Sequence, residues 1–427
     1  MMNKIVAGQL LKSGGENLTA HSGIIYFNEK GKEPMNKWKK FTSACLVAAL
    51  SATLLAGCGG EKKEEAAANA DKYVIGASFE LTGNVANYGK STLSGLKLAV
   101  DQVNKAGGVN GKQLVVVESD NKSEPAESGN SVTKLITQDK VVAVVGPATS
   151  GCVSAATPVV TSNKVPLIAP CATAPGITVD NGKVREFIFR ACFIDPFQGR
   201  VMAEFADKTL KVKNVAILYD ASSDYSKGLS EVFEKTLAEK GGKIVAKEAF
   251  LAKDIDFKSA LTKIKAANPE AIYIPGYYEE VAKIIKQTRE LGLNVPLIGC
   301  DGWDSPKLVE IAGAEALNNT YFSSAFSAQD KEESVQKFIA DYKAMYQKDP
   351  DIFCMQGYNA GLVLADALKR AGDGADGTKL AAAIAATKDL PVASGKLTYD
   401  KDHNPIIAAI IIEMKDGAQS FKEKISL

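Results

Sequence analysis

The sequence predicts an α/β protein of two lobes, each built on a doubly wound, mostly parallel sheet. Three observations carry that expectation. Strand-like and helix-like segments alternate from Tyr73 onward, as in repeated βαβ units. The run Val141-Val142-Ala143-Val144-Val145 is apolar throughout, which suits a strand covered on both faces. With 427 residues, 46% hydrophobic and 24% charged, the chain is globular and longer than a single core usually serves.

The elements follow in order. Tyr73–Phe79 reads as a strand, and Lys90–Asn104 as a helix with Leu93, Leu96, Lys97 and Val100 at helical spacing. Gln113–Glu118 is a second strand, followed by a helix with Val132, Leu135 and Ile136 on one face. The strand Val141–Val145 ends at Gly146-Pro147-Ala148-Thr149-Ser150-Gly151, before a helix-compatible segment. The next, Pro166–Ala169, ends at Pro170-Cys171-Ala172-Thr173-Ala174-Pro175. The scheme then repeats, with strands Val215–Tyr219, Ile244–Phe250, Ala271–Pro275 and Leu297–Cys300. Helices Gly228–Glu239, Ser259–Ala267 and Val281–Leu291 lie between them. No fixed period recurs, which excludes a solenoid.

The loops at 146–151 and 170–175 leave the carboxyl ends of their strands, where open α/β sheets bind ligands. Their hydroxyls and free N–H groups suit an anion such as a carboxylate. Composition and motifs exclude several other functions. A net charge of +1 gives no reason to expect nucleic acid. The histidines are His21 and His403, which leaves no Ser–His or Cys–His pair near these loops. Neither a Gly-x-Ser-x-Gly elbow nor a phosphate-binding Walker loop occurs. The expectation is a binding protein, with no catalysis, cofactor or metal.

The loop pair Gly146–Ser150 and Ala172-Thr173-Ala174-Pro175 resembles that of the substrate-binding proteins of branched-chain amino-acid ABC transporters. Other segments agree: Gly89 with the helix leading to Gly107-Gly108-Val109-Asn110-Gly111, Asp195 to Gln198, Asp254-Ile255-Asp256-Phe257, and Gly276-Tyr277. The resemblance runs from about Tyr73 to Met414. It implies the type I periplasmic binding protein fold, with a hinge of three crossing strands. One lobe would take 73–194 plus 326–397 and the other 195–325 plus 398–427, with hinges near Ile194–Pro196, Ala325–Ser327 and Thr398–Asp400.

The resemblance also assigns roles. Ser150 and Thr173, with Thr149 and Ala172 beside them, would hold a ligand carboxylate together with N–H groups of the helix start. Asp301, in Gly299-Cys300-Asp301-Gly302-Trp303, would hold the α-ammonium, shared with the Cys171 carbonyl and the Thr173 hydroxyl. Tyr88, Tyr225, Tyr277, Trp303 and Phe353 would wall the pocket. Each has a plainer reading as a helix cap, a turn aspartate or core aromatics. The implied ligand is a neutral amino acid, leucine, isoleucine or valine first, delivered by a monomer to a membrane permease. An amino-acid or amide sensor acting through a partner receptor is the alternative.

The amino terminus reads as a targeting device. Lys37, Lys39 and Lys40 precede the apolar run Phe41–Leu55, followed by Leu55-Ala56-Gly57-Cys58. The run is short for a membrane span, which needs about 20 residues. Cys58 resembles the lipidated cysteine of a bacterial lipobox, which implies anchoring on the outer face of a bacterial membrane. The expected division is 1–34 as a mis-annotated extension with translation from Met35, 35–57 as the signal and 58–72 as a flexible tether. The mature chain would keep Cys152, Cys171, Cys192, Cys300 and Cys354, an odd number. The resemblance places an amino-terminal-lobe disulfide of several relatives at Ser123 and Thr149, so that bridge would be absent. Pairing of Cys171 with Cys192 or Cys152 stays open.

Overall fold

The computed structural model describes residues Lys72–Ile425. The expectations for the leader, the lipid site Cys58 and the tether lie outside these residues.

The first sheet is built round three central segments, Lys72–Phe79, Ala143–Val145 and Leu167–Ala169, which are buried almost throughout. Its strands are β1 (Lys72–Phe79), β2 (Gln113–Asp120), β3 (Ala143–Val145), β4 (Leu167–Ala169) and β7 (Ile188–Arg190). They pair in parallel in the order β2-β1-β3-β4-β7. On β1, Tyr73, Ile75, Ala77 and Phe79 enter one apolar cluster and Val74 enters another, so both faces are covered. The covering helices are α1 (Ala86–Lys105), α2 (Pro125–Thr137) and α3 (Ser150–Asn163). A small hairpin of β5 (Val179–Asp180) and β6 (Lys183–Val184) precedes β7.

The chain then enters a second sheet through α4 (Asp195–Lys208). Its parallel strands are β8 (Asn214–Asp220), β9 (Lys243–Phe250), β10 (Ala271–Tyr273), β11 (Leu297–Gly299) and β12 (Thr320–Ser324). Helices α5 (Asp224–Glu239), α6 (Lys258–Ala266), α7 (Tyr278–Glu290) and α8 (Pro306–Ala312) connect them. After β12 the chain returns to the first sheet with α9 (Glu333–Tyr346), α10 (Ile352–Ala371) and α11 (Gly377–Ala385). Helix α10 packs on α1 and reaches β3 and β4. A hairpin of β13 (Leu390–Val392) and β14 (Gly395–Leu397) follows. The antiparallel strands β15 (Ala409–Lys415) and β16 (Ala418–Ile425) then complete the second sheet, in the order β16-β15-β12-β11-β10-β8-β9.

Each sheet has one point where strand order reverses: between β1 and β3 in the first, and between β8 and β10 in the second. At such a point, adjacent loops leave the sheet toward opposite faces and open a crevice at the carboxyl ends. The two crevices face one another. Among the described residues, no helix is long and apolar enough to cross a membrane.

Candidate functional site

The loop after β3 is set by Gly146 and Glu80. Gly146 has φ +99°, and a Cβ there would stand 2.2 Å from the Ser78 carbonyl oxygen, so only glycine lets the chain turn so close to β1. Glu80, fully buried at the end of β1, accepts the N–H groups of Ala148 and Thr149 at 3.0 Å each and the Thr149 hydroxyl at 2.7 Å. Thr149 is therefore the N-cap residue of α3 with its own hydroxyl already engaged. Ser150 becomes the first helical residue. Its oxygen accepts the Ala174 N–H at 3.2 Å, leaving its proton free to donate. The first turn of α3 also has N–H groups without intrahelical partners, beside the positive end of the helix dipole.

The loop after β4 alternates. Cys171 and Thr173 line the cavity. The carbonyls of Ala172 and Ala174 instead accept the two terminal nitrogens of the buried Arg190 at 2.9 and 3.0 Å. Arg190 thus braces the loop from behind. Thr173 Oγ1 is buried with no hydrogen-bond partner, so a donor or acceptor is held ready at the cavity.

The second sheet supplies the opposite wall. Tyr225, in the first turn of α5 after β8, and Tyr277, after β10, stack with centroids 5.1 Å apart and planes at 14°. The Tyr225 hydroxyl donates to Asp301 Oδ1 at 2.6 Å and accepts the Gly302 N–H at 3.1 Å. Asp301 follows β11 in a short 3₁₀ turn and is 2% exposed. Burial pushes its carboxyl up to about 6, opposed by the hydrogen bonds of Tyr225 and Gln198. A buried acid without a cation calls for a cationic partner from the ligand.

Tyr88 and Phe353 close the side, their rings 4.3 Å apart. The Tyr88 hydroxyl donates to the Gly302 carbonyl and accepts the Tyr278 N–H at 3.2 Å. Nearby, Glu280 accepts from Asn84 Nδ2 at 2.9 Å and from the Lys253 N–H at 2.7 Å. Lys253 also pairs with Glu124 at 2.8 Å. The Asn84–Glu280, Lys253–Glu124 and Tyr88 bonds join groups on the two lobes directly, so the crevice is shut around the cavity.

A small cavity lies between the two walls. Nine of the eleven residues singled out in the sequence line it: Tyr88, Thr149, Ser150, Cys171, Thr173, Tyr225, Tyr277, Asp301 and Phe353. Two do not. Ala172 is turned toward Arg190, as described. Trp303 is fully buried beneath the site, its indole N–H donating to the Ile274 carbonyl at 3.0 Å and its ring packed over Gly299. Ala148 and Gly302 also line the cavity, small residues that sequence chemistry does not flag.

Among the described residues, Cys152, Cys171, Cys192, Cys300 and Cys354 are buried, unpaired thiols. Burial pushes Cys171 well above the ordinary thiol value, and the Thr92 hydroxyl sits 3.3 Å from its sulfur. His403 stacks on Phe189 at 4.3 Å, a packing role away from the site. No group of His, Cys, Asp and Glu among the described residues could hold a metal ion.

A family model for periplasmic binding proteins matches residues 72–419. The chain belongs to that family. This periplasmic binding protein is 34% identical over 325 residues to the Leu/Ile/Val-binding protein BraC3 of Rhizobium johnstonii, covering 76% of this chain and 86% of the relative. Its fold matches the branched-chain amino acid transporter substrate-binding protein LivJ of Streptococcus pneumoniae, solved in complex with isoleucine. There the TM-score is 0.77 at 39% identity, over 83% of this chain and 99% of that one. The leucine-binding protein LivK of Thermotoga maritima matches with a TM-score of 0.78 at 35% identity, over 83% and 98%. The resemblance carried by the two loops thus extends to the whole described fold. The relatives are binding proteins of transporters, which agrees with a site that holds a small molecule.

Proposed function

We propose that the protein captures a neutral amino acid with an apolar side chain, leucine, isoleucine or valine, for an ABC importer. One observation carries this. The buried acid Asp301 lines the same small cavity as the hydroxyl-bearing Ser150 and Thr173, with tyrosine and phenylalanine rings around it. An α-amino acid is a small molecule that presents an ammonium, a carboxylate and an apolar group together. Its ammonium would meet Asp301, its carboxylate Ser150, Thr173 and the N–H groups of α3, and its side chain the rings of Tyr88, Tyr277 and Phe353. Charge-assisted bonds at both ends offset the desolvation of the zwitterion.

Binding and closure are one event. The residues 73–194 plus 326–397 form one lobe and 195–325 plus 398–427 the other, turning about the three connections between the sheets. A ligand held from both sides favours the closed form by its differential affinity. Driving the closed fraction from 1:99 to 99:1 takes about 5.5 kcal/mol of that preference. The loaded, closed monomer then docks on a membrane permease, tethered outside the cell through lipid on Cys58.

The test is calorimetric. Protein freed of ligand by unfolding and refolding is titrated with leucine, isoleucine and valine, and with 4-methylpentanoate and leucinamide, which lack the amine and the carboxylate. Saturable binding of the amino acids and at least a hundredfold weaker binding of both analogues is the expected pattern. Tight 4-methylpentanoate binding, or no binding of any α-amino acid, overturns the reading.

A further inference from the structure

We propose that Gln198 is a positioning residue, which holds Asp301 in register with Thr173 so that the two ends of the site keep the spacing of one amino acid. The inference rests on the amino-acid reading above. Gln198 lies in the first turn of α4, where the chain passes from the first sheet to the second, and is fully buried. It lines no part of the cavity. Its Oε1 accepts the Asp301 N–H at 2.9 Å and the Ser323 hydroxyl at 2.6 Å. Two donors on one oxygen fix which way the amide faces, and Nε2 is left pointing at Asp195 Oδ1, 3.4 Å away. Asp195 in turn donates its own N–H to the Thr173 carbonyl at 3.0 Å.

A single buried polar chain therefore runs Thr173, Asp195, Gln198, Asp301, from one wall of the site to the other. It passes through the segment that must flex when the lobes close. Gln198 holds the Asp301 backbone N–H and also bears on the carboxylate, to which Tyr225 donates directly. Losing the backbone grip frees the peptide at 300–301, whose N–H Gln198 holds. Rotation there changes φ of Asp301 and so moves its carboxylate away from the Tyr225 hydroxyl. Side chains one bond from a ligand tolerate little such movement, because an error of one ångström at a charged contact is already costly.

A packing role and a positioning role differ in a double-mutant cycle. Gln198→Met keeps volume but removes the acceptor, and Gln198→Glu keeps an oxygen acceptor. Ser323→Ala removes the second donor that fixes the amide and leaves the glutamine in place, so it serves if Gln198→Met fails to fold. Each is made alone and with Asp301→Asn, and titrated with isoleucine while thermal unfolding is recorded. Gln198→Met is expected to weaken isoleucine binding about tenfold in the native background and less than twofold in the Asp301→Asn background. Gln198→Glu should recover most of the loss. Ser323→Ala should give a smaller loss that also vanishes with Asp301→Asn.

Equal losses in both backgrounds, or native-like binding by Gln198→Met, overturn the proposal while leaving the amino-acid reading intact. Failure of the unmutated protein to bind any α-amino acid removes that reading and the proposal with it.

Discussion

Replacing Asp301 with asparagine removes one charge from the site and almost nothing else. Asparagine keeps an oxygen for the Tyr225 hydroxyl, and the backbone N–H still reaches Gln198. At 2% exposure the residue has no solvent to replace the lost charge. A buried ion pair broken by removing one partner loses about 3–5 kcal/mol. The retained acceptor puts this case at about 3 kcal/mol, a rise of about 150-fold in Kd. Calorimetry with isoleucine at pH 7.5 measures it directly. Thermal unfolding of the ligand-free variant should be no lower than that of the native protein, since a buried acid has been neutralised. The pH profile adds a second check. As pH falls below about 6, the native carboxyl takes up a proton, loses its hold on the ammonium, and affinity declines. The variant should lack that acid limb. Isoleucine affinity within threefold of native would refute the assignment of Asp301.

Three further outcomes are expected. Gly299→Ala puts a Cβ 2.0 Å from Trp303 Cε2, so the variant should lose about 3 kcal/mol or more of stability, seen as a lower denaturation midpoint; an unchanged midpoint would mean that the ring is free to move. Asn84→Ala removes the donor that crosses to Glu280 without touching the cavity, and should weaken isoleucine binding several-fold. Native affinity in that variant would show that this bond does not favour closure. Burial pushes the Asp195 carboxyl up to about 8, so the folded state holds a proton that the unfolded state releases above its ordinary value of 3.8. Stability should therefore fall as pH rises from about 4 to about 8, by about 1.4 kcal/mol per unit for this group. Asp304, pushed up to about 7, has the same sign. Asp195→Asn should flatten the slope in denaturant titrations at pH 5, 6.5 and 8, and an unchanged slope would remove Asp195 as its source.

How legible the site was depended on what kind of group each residue contributes. Ser150, Thr173 and Asp301 stand out because they follow strand carboxyl ends, where open α/β sheets bind ligands, and all three line the cavity. Trp303 looked equivalent, two residues from Asp301, yet its ring turns inward over Gly299. A 3₁₀ turn swings neighbouring side chains through about 120°, so adjacency in sequence says little about facing. Ala172 shows the same limit in extended chain, where alternate residues face opposite ways. Glu80 and Gln198 were missed as parts of the site because their partners are backbone N–H groups from distant segments. No side-chain pattern announces such a bond.

The chain by itself determined the strands and helices that obey simple periods. The strands β1, β8 and β9 fall within one or two residues of the expected bounds, because continuous apolar runs and helical stripes record local burial. It also placed the two hydroxyl-bearing loops at the carboxyl ends of parallel strands. Only the tertiary structure decided the returns of the chain: helices α9 to α11 against the first sheet, and β15 with β16 on the edge of the second. It also decided which face of each loop meets the cavity, and the closure that brings Tyr88 against Gly302 and Asn84 against Glu280. Periodicity reports that a residue is buried and not what it is buried against. The partner is fixed by contacts between segments a hundred or more residues apart.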